Sequence, residues 1–259
     1  MDAAPSILSA IERGVAVVRL NRPHRLNALT LEMLDRLRRT LTEAVDAGAR
    51  AVLVAGEGRA FCSGADLSPD EGLEGKANEA VRTHYNPLMR ALADLPIPVV
   101  TAINGAAAGA GASIALAGDI VVAARSSYLL LAFANIGLVP DAGATWLVAK
   151  AAGRAKLLEM ALLGERLEAA DALEAGLVAR VGDDAALHDT AIAYAVRLAA
   201  MPTVAMGLIR KQAAAALSGP LDQVLEIEAA HQAIAAATDD FTEGLAAFAD
   251  KRPPVFRGR

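Results

Sequence analysis

NGAAAGAGASIALAGDIVVAA (Asn104–Ala124) passes from a glycine-and-alanine turn into a short helix and then into the strand DIVVAA. A second strand, VVTAIN (Val99–Asn104), runs into it from the other side. Strand, crossover helix and strand make the unit from which parallel sheets are built. From Ala107 the tract is glycine and alanine up to Ser113, so the first turn of the helix carries no side chain able to do chemistry. What it does offer is backbone. The opening N–H groups of a helix have no partner within it, and the helix dipole favours negative charge beside them.

Working outward, the same units recur. GVAVVRL (Gly14–Leu20) is a strand, and NRPHRLNALT a turn that ends on Thr30, a fitting N-cap. In the helix that follows, Leu31, Leu34, Leu37, Leu41 and Val45 share one face, and Gly48 stops it. AVLVAG (Ala51–Gly56) is a buried strand. The segment EGRAFCSGADLSPDEGLEG (Glu57–Gly75) is a long, irregular, glycine-rich loop, a type that is usually functional or mobile. Lys76–Asp94 reads as one helix with Ala77, Val81, Leu88 and Leu92 inward. DIVVAA and SYLLLAF are two more strands. From Asp141 onward the pattern is helical apart from GLVARV (Gly176–Val181). The expectation is an α/β core over residues 1–200 and a helical region over 201–259, with no linker or short repeat between them.

The bulk composition narrows the function classes. The chain has 259 residues, 54% of them apolar and 21% charged, with a net charge of −5. That describes a globular protein and argues against a nucleic-acid footprint. Cys62 is the only cysteine, so no disulfide within the chain is available, and a buried filler role fits it better than a nucleophile. His24, His84, His188 and His231 show no metal-ligand spacing, and no metal site is expected. The N-terminus lacks the pattern of a signal peptide, and Ile103–Gly118 is too short and glycine-rich to span a membrane. A cytoplasmic protein with no membrane partner is the expectation.

GEGRAFCSGADL, the Asn104–Ala124 tract and IGLVPDAGATWLVAKAAGRAKLLEMALLG together resemble the crotonase family, the enoyl-CoA hydratases and isomerases. The likeness extends from VVRLNRPHRLNAL to FADKRPPVF. Within the family, HYNPL, AAGAGA and GATWL look most like the isomerases that act on ring-epoxidised phenylacetyl-CoA in phenylacetate breakdown. The resemblance implies a crotonase-like spiral of strand–strand–helix repeats with a helical C-terminal trimerisation region. It also implies a homotrimer or hexamer, an acyl-CoA thioester as substrate, and no cofactor beyond the coenzyme A that the substrate brings.

The same resemblance assigns site residues. The N–H groups of Ala65 and Ala110 would bind the thioester oxygen as it becomes an enolate, and backbone donors there require small residues around them. Two glutamates orient water in the hydratases; the matching places hold Ser113 and Phe133, neither able to act as a base at neutral pH. Asp141 is the acid that remains, and its alternative use is as an N-cap of a helix running from Ala142. Coenzyme A contacts fall on Arg25, Leu26, Ser63, Ala65, Asp66 and Leu67, and on Phe248 and Lys251, the last two often reaching across subunits. Tyr85 and Asn86 match a variable acyl-pocket helix, while Trp146 and Phe133 are candidates for apolar walls. An isomerase with Asp141 as acid and base is the favoured function. The alternatives are a hydrolase or dehalogenase-like enzyme with Asp141 as nucleophile, a non-catalytic acyl-CoA binder, and an enoyl-CoA hydratase.

Overall fold

A computed structural model describes residues 4–68 and 75–259. Residues 69–74, part of the expected glycine-rich loop, and residues 1–3 of the N-terminus lie outside the described residues. The strands are β1 (Ile7–Glu12), β2 (Val15–Leu20), β3 (Ala51–Gly56), β4 (Ala60–Cys62), β5 (Val99–Ile103), β6 (Ala106–Ala108), β7 (Ile120–Ala124), β8 (Tyr128–Leu130), β9 (Arg166–Glu168) and β10 (Arg180–Gly182). One sheet has the order β1-β2-β3-β5-β7-β10 and the other the order β4-β6-β8-β9. From β3 to β8 the chain lays successive strands alternately in the two sheets, and a helix closes each turn. This is the spiral of strand–strand–helix units that the family resemblance implies. Among the described residues only β1–β2 and β8–β9 pair antiparallel.

The helices are α1 (Leu31–Asp46), α2 (Ala77–Ala80), α3 (Asn86–Asp94), α4 (Ala110–Leu116), α5 (Ala144–Leu163), α6 (Ala169–Glu174), α7 (Leu187–Ala199), α8 (Thr203–Ala216), α9 (Leu221–Ala236) and α10 (Asp239–Ala249). The central strands β3, β5 and β7 are covered on both faces, which is why they read as largely apolar runs. Val52 and Val54 face the main core with α1 and α4, while Ala51, Leu53, Val100 and Val122 face α7. There Ala191, Ala195 and Ala199 recur one turn apart and let the helix lie close to the sheet. Thr30 caps α1 as expected, its hydroxyl accepting from the Met33 N–H at 3.1 Å.

Three expectations need correction. Lys76–Asp94 is not one α-helix: a π-turn at Val81–Tyr85 separates α2 from α3. A π-turn adds a residue to the repeat, so Ala80 and Tyr85 join Leu88 and Leu92 as the buried positions, while Val81 packs partly buried against the core and Ala77 is not part of it. SYLLLAF is a strand only over Tyr128–Leu130, since a 3-10 turn at Ala134–Ile136 follows closely. The strand β1 lies outside the predicted set. Most of its residues are exposed, and it is held by a hairpin turn at Arg13 and Gly14, both at positive φ.

The helices after residue 200 divide by what they touch. The Arg210 guanidinium on α8 donates to the Asp119 carboxylate at 2.7 Å and to the carbonyls of Leu92 and Leu95, pinning α8 to the core. Leu221, Leu225 and Ile234 on α9 and Phe241, Leu245 and Phe248 on α10 are exposed.

Candidate active site

The site is built where two neighbouring strands end. β4 and β6 lie parallel with Cys62 opposite Ala107. Each chain then leaves its strand through the same kind of exit, Ser63–Gly64–Ala65 from one and Ala108–Gly109–Ala110 from the other. Both alanines are therefore three residues past a matched pair. The two glycines meet: a Cβ placed on Gly64 would lie 3.5 Å from the Cα of Gly109 and 2.9 Å from the Ala108 carbonyl oxygen. Their φ values, +96° for Gly64 and +52° for Gly109, are in the region L side chains avoid. A larger residue at either place would push the exits apart.

These exits leave two N–H groups without a partner. Leu29 donates to the Gly64 carbonyl at 2.8 Å and Asp66 to the Leu29 carbonyl at 2.9 Å, so the intervening Ala65 presents its N–H to the opposite side. Ala110 is the first residue of α4, whose N-cap, Gly109, has no side chain to offer. Among the described residues neither N–H has a hydrogen-bond acceptor. Gly111, one residue on, packs on Cys62; a Cβ there would fall 2.5 Å from the Cys62 carbonyl oxygen, so α4 sits hard against β4. Burial pushes the Cys62 thiol up to about 12 despite the Gly64 N–H beside it, which leaves it an inert filler.

The third exit, from β8, leads to Phe133. Its ring Cζ lies 3.9 Å from where a Cβ of Gly109 would be. The residue is 7% exposed. An apolar ring therefore lies against the turn that carries the second donor. Ser113 is fully buried one turn into α4, and its hydroxyl donates to the main-chain carbonyl of Asp141 at 3.3 Å.

Asp141 precedes a strained turn. Ala142 has φ +47° and Gly143 φ +78°. The left-handed region is unfavourable for alanine by roughly 1–2 kcal/mol. The turn delays the helix: α5 begins at Ala144, its N-cap is Gly143, and there is no side-chain cap. Asp141 thus does not cap α5, contrary to the alternative use, and the start at Ala142 is corrected to Ala144. Its main-chain carbonyl accepts from the Ala144 N–H at 2.9 Å, but its carboxyl Oδ1 is buried without a hydrogen-bond partner. Burial raises its pKa to about 6. A carboxyl in that condition can hold and release a proton near neutrality.

The other predicted contacts divide by position. Arg25, Leu26 and Ser63 are brought together: the Ser63 N–H donates to the Leu26 carbonyl at 3.0 Å, and the Ser63 hydroxyl faces the Arg25 carbonyl at 3.5 Å. Arg25 itself is exposed. Asp66 is buried, and its carboxylate pairs with Arg22 at 2.8 Å and accepts from the Ser68 N–H. Burial pushes the Asp66 pKa up, but the bonds from Arg22 and Ser68 outweigh it and hold the group below its usual value. Leu67 is 59% exposed beside this cluster and Phe248, on α10, is 84% exposed. Lys251 donates its N–H to the Phe248 carbonyl, and no hydrogen bond or ion pair among the described residues joins either to the cluster. Trp146 lines a cavity of about 360 Å³ with Met89, Leu116, Gly143, Arg210 and Ala214, and Phe133 is not among that cavity's lining residues.

Two positioning residues escaped the sequence reading. Asn27, fully buried and at φ +56°, donates its amide to the carbonyls of Glu57, Ala60 and Phe61 and accepts from the Arg22 N–H. It thereby staples the turn before α1 to β4. Arg22 binds both Asp66 and the Ala28 carbonyl. A lone asparagine among the apolar residues Leu26, Ala28 and Leu29 was the signal available for the first.

Comparison with known proteins places this geometry. Residues 10–259 match the model of the family described as enoyl-CoA hydratase/isomerase. The chain is 44% identical to the 1,2-epoxyphenylacetyl-CoA isomerase of Escherichia coli, covering 98% of each chain. It is also 44% identical, over 96% of each chain, to a protein of Rhodobacter capsulatus that carries the name "Probable enoyl-CoA hydratase". Among solved structures, the enoyl-CoA hydratase of Bacillus anthracis superposes with a TM-score of 0.93 at 32% identity, over 98% of this chain and 100% of that one.

Proposed function

The chain belongs to the enoyl-CoA hydratase/isomerase family, and from that premise we propose that it is an acyl-CoA isomerase working through a thioester enolate. The thioester oxygen binds between the N–H groups of Ala65 and Ala110. Fixed donors aimed at a developing negative charge stabilise it without the reorganisation that water would need. Asp141, ionised, takes the proton from the carbon beside the thioester. The protonated acid then returns a proton elsewhere on the conjugated system. One proton leaves and one is restored, so the reaction balances with no redox cofactor or metal ion, and coenzyme A enters only as part of the substrate.

The observation that carries this reading is the Asp141 carboxyl, whose Oδ1 is buried with no partner among the described residues and whose pKa is raised to about 6, in a chain whose two water-activating places hold Ser113 and Phe133, neither of which can activate water. Hydration needs a held and deprotonated water. Here an apolar ring lies against the Gly109 turn and a hydroxyl is turned toward a main-chain carbonyl.

The substrate class we assign is an acyl-CoA whose acyl group can shift a double bond or open a ring, with ring-epoxidised phenylacetyl-CoA the leading case by similarity to the E. coli relative. In this reading Arg25, Leu26, Ser63, Asp66 and Leu67 contact the coenzyme, which is supported by the main-chain and side-chain bonds that join Arg25, Leu26 and Ser63 next to the Ala65 donor. Phe248 and Lys251 complete that contact from a neighbouring copy in a trimer or hexamer, which also covers the exposed apolar residues of α9 and α10. In this reading residues 1–200 carry binding and catalysis and 201–259 assembly.

The test is a turnover assay in ¹⁸O-labelled water with a β,γ-unsaturated acyl-CoA and with ring-epoxidised phenylacetyl-CoA. Isomerisation yields products of unchanged mass. Product carrying ¹⁸O would instead mean that water adds, or that Asp141 acts as a nucleophile whose ester is hydrolysed.

A further inference from the structure

We propose that Ser113 is a positioning residue for Asp141: its hydroxyl tethers the turn that carries the acid to the helix that carries the oxyanion donor. The inference rests on the assignment of Asp141 as the acid and base. A serine inside a helix ordinarily turns its hydroxyl back to the carbonyl of the preceding turn. Ser113 does not. Its hydroxyl reaches out of α4 to the main-chain carbonyl of Asp141, 28 residues away in sequence. Ser113 is fully buried, which shields its end of that bond from water.

The turn it meets has few other restraints. Among the described residues the only other hydrogen bond to the Asp141 carbonyl comes from the Ala144 N–H, within the same turn. The carboxyl has no Oδ1 partner to fix it, and the two residues after it sit at positive φ. Asp141 lies at the head of α5, whereas Ala110 and its N–H open α4. Among the described residues the Ser113 hydroxyl makes the hydrogen bond that crosses between those two segments. It sets the acid relative to the donors, and in proton transfer a misplacement of about 1 Å is worth up to ~10²-fold in rate. Serine in this slot does not activate water; it holds the base in place.

The test compares Ser113→Ala, Ser113→Thr and Asp141→Asn by steady-state kinetics and by the pH dependence of kcat/KM, which reports the free enzyme, using a β,γ-unsaturated acyl-CoA as probe. Ser113→Ala should lose about tenfold in kcat, the scale of one buried hydrogen bond that sets geometry, with KM little changed. The rising limb of its pH profile should move below the wild-type value of about 6, because a loosened turn lets water reach the carboxyl. Ser113→Thr keeps the hydroxyl and should recover most of the loss. A merely structural serine would lower the denaturation midpoint and leave the pH limb in place. An inactive Asp141→Asn beside a Ser113→Ala of wild-type kcat and unmoved limb overturns this inference alone. An active Asp141→Asn overturns the assignment of the base, and the tether with it.

Discussion

Replacing Asp141 by Asn should stabilise the protein increasingly as pH rises. Burial lifts this carboxyl from its ordinary 3.8 to about 6. Between those values the native chain still holds a proton that the unfolded chain has released, so wild-type stability falls as pH climbs through the window. Below it the acid is neutral in both states and its contribution is complete. Above it the acid is ionised in both, and the native state carries the burial penalty. About two units at roughly 1.4 kcal/mol each set a ceiling near 3 kcal/mol. The carboxyl keeps some contact with solvent, which reduces the expectation to about 1–2 kcal/mol. Asparagine has nearly the same shape and no titration, so its stability lacks this slope. The assay is urea unfolding of both proteins from about pH 4 to about pH 8, at equal protomer concentration because association adds to apparent stability. The variant's advantage should grow across that range, most steeply between pH 4 and 6. An advantage that does not change with pH would refute the claim that Asp141 is buried without a compensating partner.

Three other outcomes follow from the same geometry. Ala110→Gly keeps the N–H and should retain activity within about tenfold, whereas Ala110→Pro removes it and should lose about 10²-fold or more; circular dichroism checks that both fold, and equal activity would count against the donor assignment. Crotonyl-CoA hydration by the wild type should be far below about 10 s⁻¹, the rate of a typical enzyme, and a rate at or above it would mean that a water-activating group lies elsewhere. Light scattering at micromolar concentration should give a trimer or a dimer of trimers, and a monomer would leave the exposed apolar residues of α9 and α10 without an explanation.

Much of the fold was legible because the central strands of its main sheet are buried on both faces, which makes AVLVAG and VVTAIN largely apolar. The second sheet was not, since β4 and β6 are three residues each and their pairing depends on neighbours far away in sequence. The spiral came from the family likeness, not from periodicity. The paired exits Ser63–Gly64–Ala65 and Ala108–Gly109–Ala110 look alike on paper, but only the register of Cys62 with Ala107 makes them neighbours. Asp141 shows where local preference misleads. Aspartate after a turn favours a cap, yet Ala142 and Gly143 adopt positive φ and put the cap position two residues later. The π-turn at Val81–Tyr85 likewise leaves no periodic mark, since it shifts the apolar phase by a single residue. Asn27 and Arg22 work through main-chain carbonyls whose positions the sequence does not display.

The central claim, that Asp141 moves the proton while the two backbone N–H groups hold the enolate, is tested most directly by hydrogen exchange at the carbon beside the thioester. The wild type and Asp141→Asn are incubated in heavy water with phenylacetyl-CoA, and deuterium at that carbon is followed by mass spectrometry. The wild type should exchange, and the variant, which still binds the thioester, should do so about 10²-fold more slowly or not at all, the usual scale for a general base. Exchange by the Asn variant at the wild-type rate would contradict the account and send the search for the base to another residue.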